Sequence, residues 1–296
     1  MEFLYKKDSE TIFLTAVLLV AAVVTQDVSP DCASCIKVNA TCYNVSYLFD
    51  MNATFRTHIV VHKMGILRSE NVLFYSFEPE IADKEYYKVG FVNLDNPDVQ
   101  GVISDEHIKV LNFGTFDIDQ DNSIVYLGGY DGIFTYGNTK KLAPYSSRGD
   151  TILSLFYKGF VYFVKSDDNR IISKKGDQFN SVLDYVPIKN FVLTKYDVIV
   201  FLSNYGLFLH KKGETIWLSK NAFFRGLTID LDDTVYAWWI DGLYRVVIEK
   251  NLAESSIVKV AHIPGIGALT FDNDNNIIFN LDKSVFKMTE TNVTKC

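Results

Sequence analysis

Ile124-Val125-Tyr126-Leu127-Gly128-Gly129-Tyr130-Asp131-Gly132-Ile133-Phe134 is the stretch that decides the fold. An apolar run closes on an aromatic, a Gly/Asp turn reverses the chain, and a second apolar run follows, which is the pattern of a β-hairpin. The first run recurs as Val72-Leu73-Phe74, Phe160-Val161-Tyr162, Ile199-Val200-Phe201, Val235-Tyr236 and Ile277-Ile278-Phe279. The second recurs as Arg170-Ile171-Ile172, Gly206-Leu207-Phe208, Gly242-Leu243-Tyr244 and Ser284-Val285-Phe286. The first repeat carries a longer insertion and restarts near Val89-Gly90-Phe91. Between successive aromatics, from Phe74 to Phe279, lie 52, 36, 39, 35 and 43 positions.

Working outward, Asp119-Gln120-Asp121-Asn122, Asp232-Asp233 and Asp272 to Asn276 precede three of the runs. Asp and Asn bond their own backbone and tolerate left-handed φ, so these read as hairpin turns. A period near 40 residues with about four short strands per unit predicts propeller blades. Six units begin near Thr57, Phe113, Asp150, Asn190, Arg225 and Gly267. The last lacks room for a fourth strand, and Ile36 to Asp50 can supply it or a strand nearby. The expected architecture is all-β: a single six-bladed β-propeller closed by pairing of N- and C-terminal strands. Closure brings Cys296 toward Cys32, Cys35 and Cys42, and a bridge from Cys296 to one of these three is expected.

Composition agrees. Of the 296 residues, 48% are hydrophobic, and 22 Phe and 17 Tyr favour strands over helices. A net charge of -7 argues against nucleic-acid partners. Lys6 and Lys7 flank an apolar run from Ile12 to Val24, too short to span a bilayer comfortably but suited to a secretory signal. The division expected is a cleaved signal over residues 1–26, a cysteine and sequon segment over 27–56 that supplies the closing strand, and the propeller over 57–296. Sequons at Asn39, Asn44, Asn52 and Asn292 and an even set of four cysteines fit a secreted, disulfide-bonded glycoprotein with no membrane attachment after cleavage. Cys32-x-x-Cys35 has no second pair at zinc spacing, which favours a structural disulfide over a metal or redox site.

Beyond the repeat, particular wording carries a resemblance. The Ile124 to Phe134 stretch, Leu155-Phe156-Tyr157-Lys158-Gly159 and Gly206-Leu207-Phe208-Leu209-His210-Lys211-Lys212 are similar to successive blades of the insect ommochrome-binding proteins. That family comprises secreted haemolymph proteins of moths and butterflies that carry ommochrome pigments. The N-terminal cysteine and sequon cluster departs from the family's pattern. The resemblance implies a haemolymph carrier with no catalytic residue, metal or cofactor, whose partner is a small planar pigment such as an ommochrome.

A fused-ring chromophore with ionisable groups calls for aromatic walls and Arg or Lys donors. In a propeller these come from the turns between second and third strands and from the loops leading into each blade. The candidates are Arg225, Trp239, Tyr130 and Tyr205 first, then Arg56, Arg148, Phe113 and Lys283. Trp238 and Trp239 are adjacent in a strand, so only one of them can face a site. Competing readings are weaker. Asp117-x-Asp119-x-Asp121 begins like a calcium loop, but Asn122 and Gly128 stand where Gly and Glu are required. His58 and His62 could share a strand face, and core or channel packing accounts for them. A metal-dependent lactonase-like propeller would begin its first blade with Glu-Gly-Pro, where His58-Ile59-Val60-Val61-His62 stands. A protein-binding propeller would use an outer face and need no pocket.

Overall fold

The computed structural model describes residues 35–38, 41–104, 112–137, 139–184 and 187–291. It is built of strands, with one 3-10 turn at Leu252–Glu254. Blade 1 comprises β3 (Val61–Leu67), β4 (Val72–Phe77), β5 (Lys88–Asn93) and β6 (Gln100–Val102). Blade 2 comprises β7 (Phe113–Asp119), β8 (Ile124–Gly129), β9 (Gly132–Tyr136) and β10 (Leu142–Ser146). Blade 3 holds β11 (Ile152–Tyr157), β12 (Val161–Lys165), β13 (Arg170–Lys175) and β14 (Gln178–Asp184). Blade 4 holds β15 (Ile188–Leu193), β16 (Ile199–Ser203), β17 (Gly206–Lys211) and β18 (Glu214–Ser219). Blade 5 holds β19 (Gly226–Ile229), β20 (Val235–Trp239), β21 (Gly242–Val247) and β22 (Ser256–Ala261). Each is an antiparallel meander with its strands in chain order.

Blade 6 closes the ring. Its chain-terminal strands β23 (Ile266–Phe271), β24 (Ile277–Leu281) and β25 (Ser284–Glu290) are completed by β2 (Thr41–Asp50) and an outermost β1 (Cys35–Val38) from the N-terminal segment. β2 runs antiparallel to β25, from Tyr43 opposite Glu290 to Asp50 opposite Ser284. The backbone NH of Thr291 also donates to the Cys42 carbonyl at 3.0 Å. Cys42 is buried and disulfide-bonded. Cys32, Cys296, Asn39, Asn292 and residues 1–26, expected to be a signal, lie outside the described residues, as does the pairing of Cys42.

Aromatic faces meet between neighbouring blades, and there the core sits. Phe74 of blade 1 faces Phe116 of blade 2 with ring centroids 6.3 Å apart, and Phe156 of blade 3 faces Phe191 of blade 4 at 6.2 Å. Trp238, only 1% exposed, reaches from blade 5 to donate its indole NH to the Gly267 carbonyl of blade 6 at 2.7 Å. Such face-to-face burial is what a blade cannot achieve alone.

The Gly-apolar-aromatic wording of the third strands has a backbone cause. Gly206 and Gly242 open β17 and β21 at φ 130° and 146°. A side chain there would strike the carbonyl oxygen that ends the adjacent fourth strand, Ser219 or Ala261. The acidic turns behave as expected: Asp119 accepts backbone NH groups of Asp121 and Asn122, each at 3.2 Å. His58 lies ahead of β3 in a bend and shares no strand face with His62.

A recurring irregularity matters for the hub. In five of the six blades the first strand slips register against the second near its start: between Val61 and Lys63, Phe113 and Thr115, Ile152 and Ser154, Ile188 and Asn190, and Ile266 and Leu269. In the first four of these the extra residue is His62, Gly114, Leu153 or Lys189. A bulge re-aims its side chain out of the ladder.

Candidate functional site

Those four bulge residues all line one cavity of about 400 Å³ at the upper end of the axis, where the turns between second and third strands and the blade-to-blade loops gather. Blade 1 adds Lys63 and Tyr87, blade 2 Asn112, Thr115 and Tyr130, and blade 4 Asn190 and Leu202. Phe224 and Arg225 lead into blade 5.

Neighbouring blades hold the lining in place. Asn112, at φ 46°, accepts from the backbone NH groups of Tyr86 and Tyr87, tying the blade 1 loop to blade 2 and setting Tyr87 at the cavity. Gly114 leaves the Tyr87 ring its room, since an added Cβ would lie 3.3 Å from it. Asn190 accepts from the Leu227 NH of blade 5 at 3.2 Å. Arg225 is braced twice: its backbone NH bonds the Trp238 carbonyl at 2.9 Å, and Nη1 donates to the Ile266 carbonyl at 3.1 Å.

The floor is charged. Lys63 Nζ spans the channel to Asp117 Oδ1 at 3.2 Å and the Leu155 carbonyl at 3.3 Å, and the other Asp117 oxygen accepts from the Tyr157 NH at 2.6 Å. Below it a second chamber of about 190 Å³ continues along the axis. His62 Nε2 lies 3.1 Å from Glu78 Oε1, and Glu78 is also paired with Arg56 at 2.7 Å. Burial lowers the His62 pKa from its ordinary 6.5 despite the carboxylate, and the Arg56 charge acts in the same direction, so the ring is neutral at pH 7.

Of the eight side chains singled out in the sequence, Arg225 and Tyr130 line the cavity. Phe113 is 2% exposed and packs edge-on against Phe134 in the core, away from the hub. Trp239 stacks on Phe223 at 6.3 Å above blade 5. Tyr205 is exposed, and its carbonyl accepts the Trp217 indole NH at 3.1 Å. Arg56 is held behind His62 by Glu78, Arg148 pairs with Asp131 over the Phe134 ring, and Lys283 pairs with Asp50 at 3.1 Å. Lys63, Tyr87, Asn112, Lys189 and Asn190 were missed. Their common signal is position at or just before the start of a first strand, or on the turn beside it.

Among the described residues no three His, Cys, Asp or Glu side chains converge as a metal site requires. A larger groove, about 730 Å³, opens between blades 4 and 5 at the opposite end, with mixed charges including Lys195, Asp233, Arg245 and Glu249. No helix among the described residues is long and apolar enough to cross a membrane.

Fold and cavity together define a six-bladed β-propeller with a small-molecule-sized pocket at its hub. The chain is similar to the ommochrome-binding protein of Manduca sexta, 27% identical over 266 residues that cover 86% of this chain and 90% of that protein. The resemblance read in the blades is thus borne out along most of their length. No family model matches the chain. In fold it is similar to a gluconolactonase of Xanthomonas campestris, with a TM-score of 0.64 at 9% identity, covering 87% of this chain and 95% of that one. It is also similar to a virginiamycin B lyase of Staphylococcus aureus, with a TM-score of 0.56 at 12% identity, covering 83% and 99%. At such identities the likeness is one of fold alone.

Proposed function

We propose that this chain is a secreted carrier that holds a small planar pigment, such as an ommochrome, in the hub cavity and catalyses no reaction. The observation that carries the reading is the cavity itself. Its 400 Å³ suits a small molecule, and the aromatic residues Tyr87, Tyr130 and Phe224 line it together with basic side chains. The named cargo of the Manduca sexta relative supports the same choice. The lactonase-like reading finds less support at the hub. The axial carboxylate Asp117 is committed to Lys63 and to a backbone NH, and among the described residues no three His, Cys, Asp or Glu side chains converge there.

Secretion into a haemolymph-type fluid belongs to the same proposal, with cleavage near residue 26 and glycans on Asn39, Asn44, Asn52 and Asn292. Asn44 and Asn52 are exposed, as glycan acceptors must be. A bridge from Cys296 to the N-terminal cysteines also belongs here, and the Thr291 NH bonded to the Cys42 carbonyl supports it.

Titrating the purified protein with an ommochrome, while recording its visible difference spectrum and tryptophan fluorescence, tests the reading. A saturable one-site change is expected. No spectral change, joined to calcium-dependent opening of a sugar lactone, overturns it.

A further inference from the structure

We infer that the cargo is an aromatic anion whose charged end is read by Lys189 and Arg225. This rests on the carrier reading above and narrows it to a ligand class.

The chain carries a net charge of -7, yet among the described residues no Asp or Glu lines the cavity, while Lys63, Lys189 and Arg225 do. Lys63 is neutralised by Asp117 at 3.2 Å. Around the same end Arg56, Arg148, Lys165, Lys259 and Lys283 each hold a carboxylate. Lys189 and Arg225 hold none among the described residues, and both face the cavity. Two unpaired cations facing one partly enclosed space repel each other and attract an anion.

The backbone explains why both face inward. Lys189 is the extra residue of the blade 4 bulge, between Ile188 opposite Ser203 and Asn190 opposite Leu202. Arg225 precedes β19 in the one blade with no such slip, and its bond to the Ile266 carbonyl fixes the guanidinium while leaving other NH donors unused. A guanidinium so placed suits a carboxylate or another planar oxyanion. Phe224 adjoins Arg225 in sequence, and Tyr87 and Tyr130 stand on the blade 1 and blade 2 side. A ring system can therefore stack there while its acid group meets the two cations.

Calorimetric titration with quinoline-2-carboxylate, its carboxamide and acetate tests this on the full-length protein. The carboxylate is expected to bind about tenfold tighter than the carboxamide, and the preference should shrink between about 0.05 and 0.5 M salt. K189Q and R225Q should each reduce it several-fold while leaving the circular-dichroism spectrum unchanged. Lys189 is exposed, so K189Q keeps the test sound if R225Q disturbs blade 5. Equal binding of carboxylate and carboxamide overturns the inference and leaves the carrier reading standing. Acetate binding as tightly as the carboxylate overturns the aromatic half of it. Binding of none of the three overturns the inference, and the ommochrome titration then decides the carrier reading separately.

Discussion

Replacing Phe49 by Ala tests whether the N-terminal segment is part of the ring or an arm lying on it. Phe49 sits in β2, opposite Val285 of β25, with 6% of its surface exposed. It belongs to the largest apolar cluster, which also holds Met51, Leu243, Val285 and Met288 and so spans blades 5 and 6. Truncating a fully packed Phe removes its transfer free energy and leaves a cavity, together about 3–5 kcal/mol. For a domain of this size each kcal/mol lowers Tm by roughly 2–4 °C, so a fall of about 6–20 °C is expected. Phe179 in the outer strand of blade 3 is 53% exposed, and its truncation should cost under about 1 kcal/mol. Urea unfolding of both variants, followed by near-ultraviolet circular dichroism, gives the comparison. A Phe49→Ala protein within about 1 kcal/mol of wild type would refute ring closure through β2, since an arm could lose that ring freely.

Tyr75 is fully buried, and its hydroxyl has no hydrogen-bond partner among the described residues. Tyr75→Phe should therefore leave stability unchanged or raise it by about 1 kcal/mol in the same unfolding assay, and a clear loss would reveal a partner for that oxygen. Asp272 closes the blade 6 turn. Burial alone would raise its pKa, but the Lys287 ammonium at 2.6 Å and the Asn276 hydrogen bonds prevail and hold it below the ordinary 3.8. A depressed folded pKa contributes stability that is present above the unfolded value and lost as pH falls through the folded one. Asp272→Asn should accordingly cost about 1–3 kcal/mol at pH 7, with the gap to wild type narrowing as pH falls below the ordinary 3.8, and a pH-independent gap would exclude the ion pair as its source. Peptide mapping without reduction should find Cys296 joined to Cys32, Cys35 or Cys42, and a free Cys296 thiol would remove that part of the closure.

The repeat was legible because the second strands are mostly buried on both faces and the third strands open on buried apolar residues, so they read as apolar runs whatever the loops do. Closure was legible from a shortage: after Phe286 too few residues remain for a fourth strand. Adjacent Trp238 and Trp239 were correctly assigned to opposite faces, one buried and one partly exposed. The hub was only partly legible, because a bulge leaves no mark on the hydrophobic pattern. Its extra residue is defined by what the partner strand does, and one position's slip sends a side chain to the other face. Phe113, one residue before the blade 2 bulge, therefore enters the core while Gly114 meets the cavity. Arg148, Lys283 and Arg56 each find a carboxylate brought in by folding, Asp131, Asp50 or Glu78, partners the sequence alone does not identify.

These bulges also explain how one framework can carry unlike chemistry. A residue outside the ladder forms no cross-strand pair and contributes little to the packing between blades, so its identity is weakly constrained by stability. His62, Leu153 and Lys189 occupy the same structural position in three blades and are a base, a hydrocarbon and a cation. The interblade core, by contrast, repeats Phe, Leu, Ile and Val with little variation. A fold match of 0.64 at 9% identity is what such a division produces: shared blade geometry with independent hubs. Likeness to a lactonase in blade geometry therefore carries no weight about the hub, and the cargo must be argued from the residues that leave the ladder.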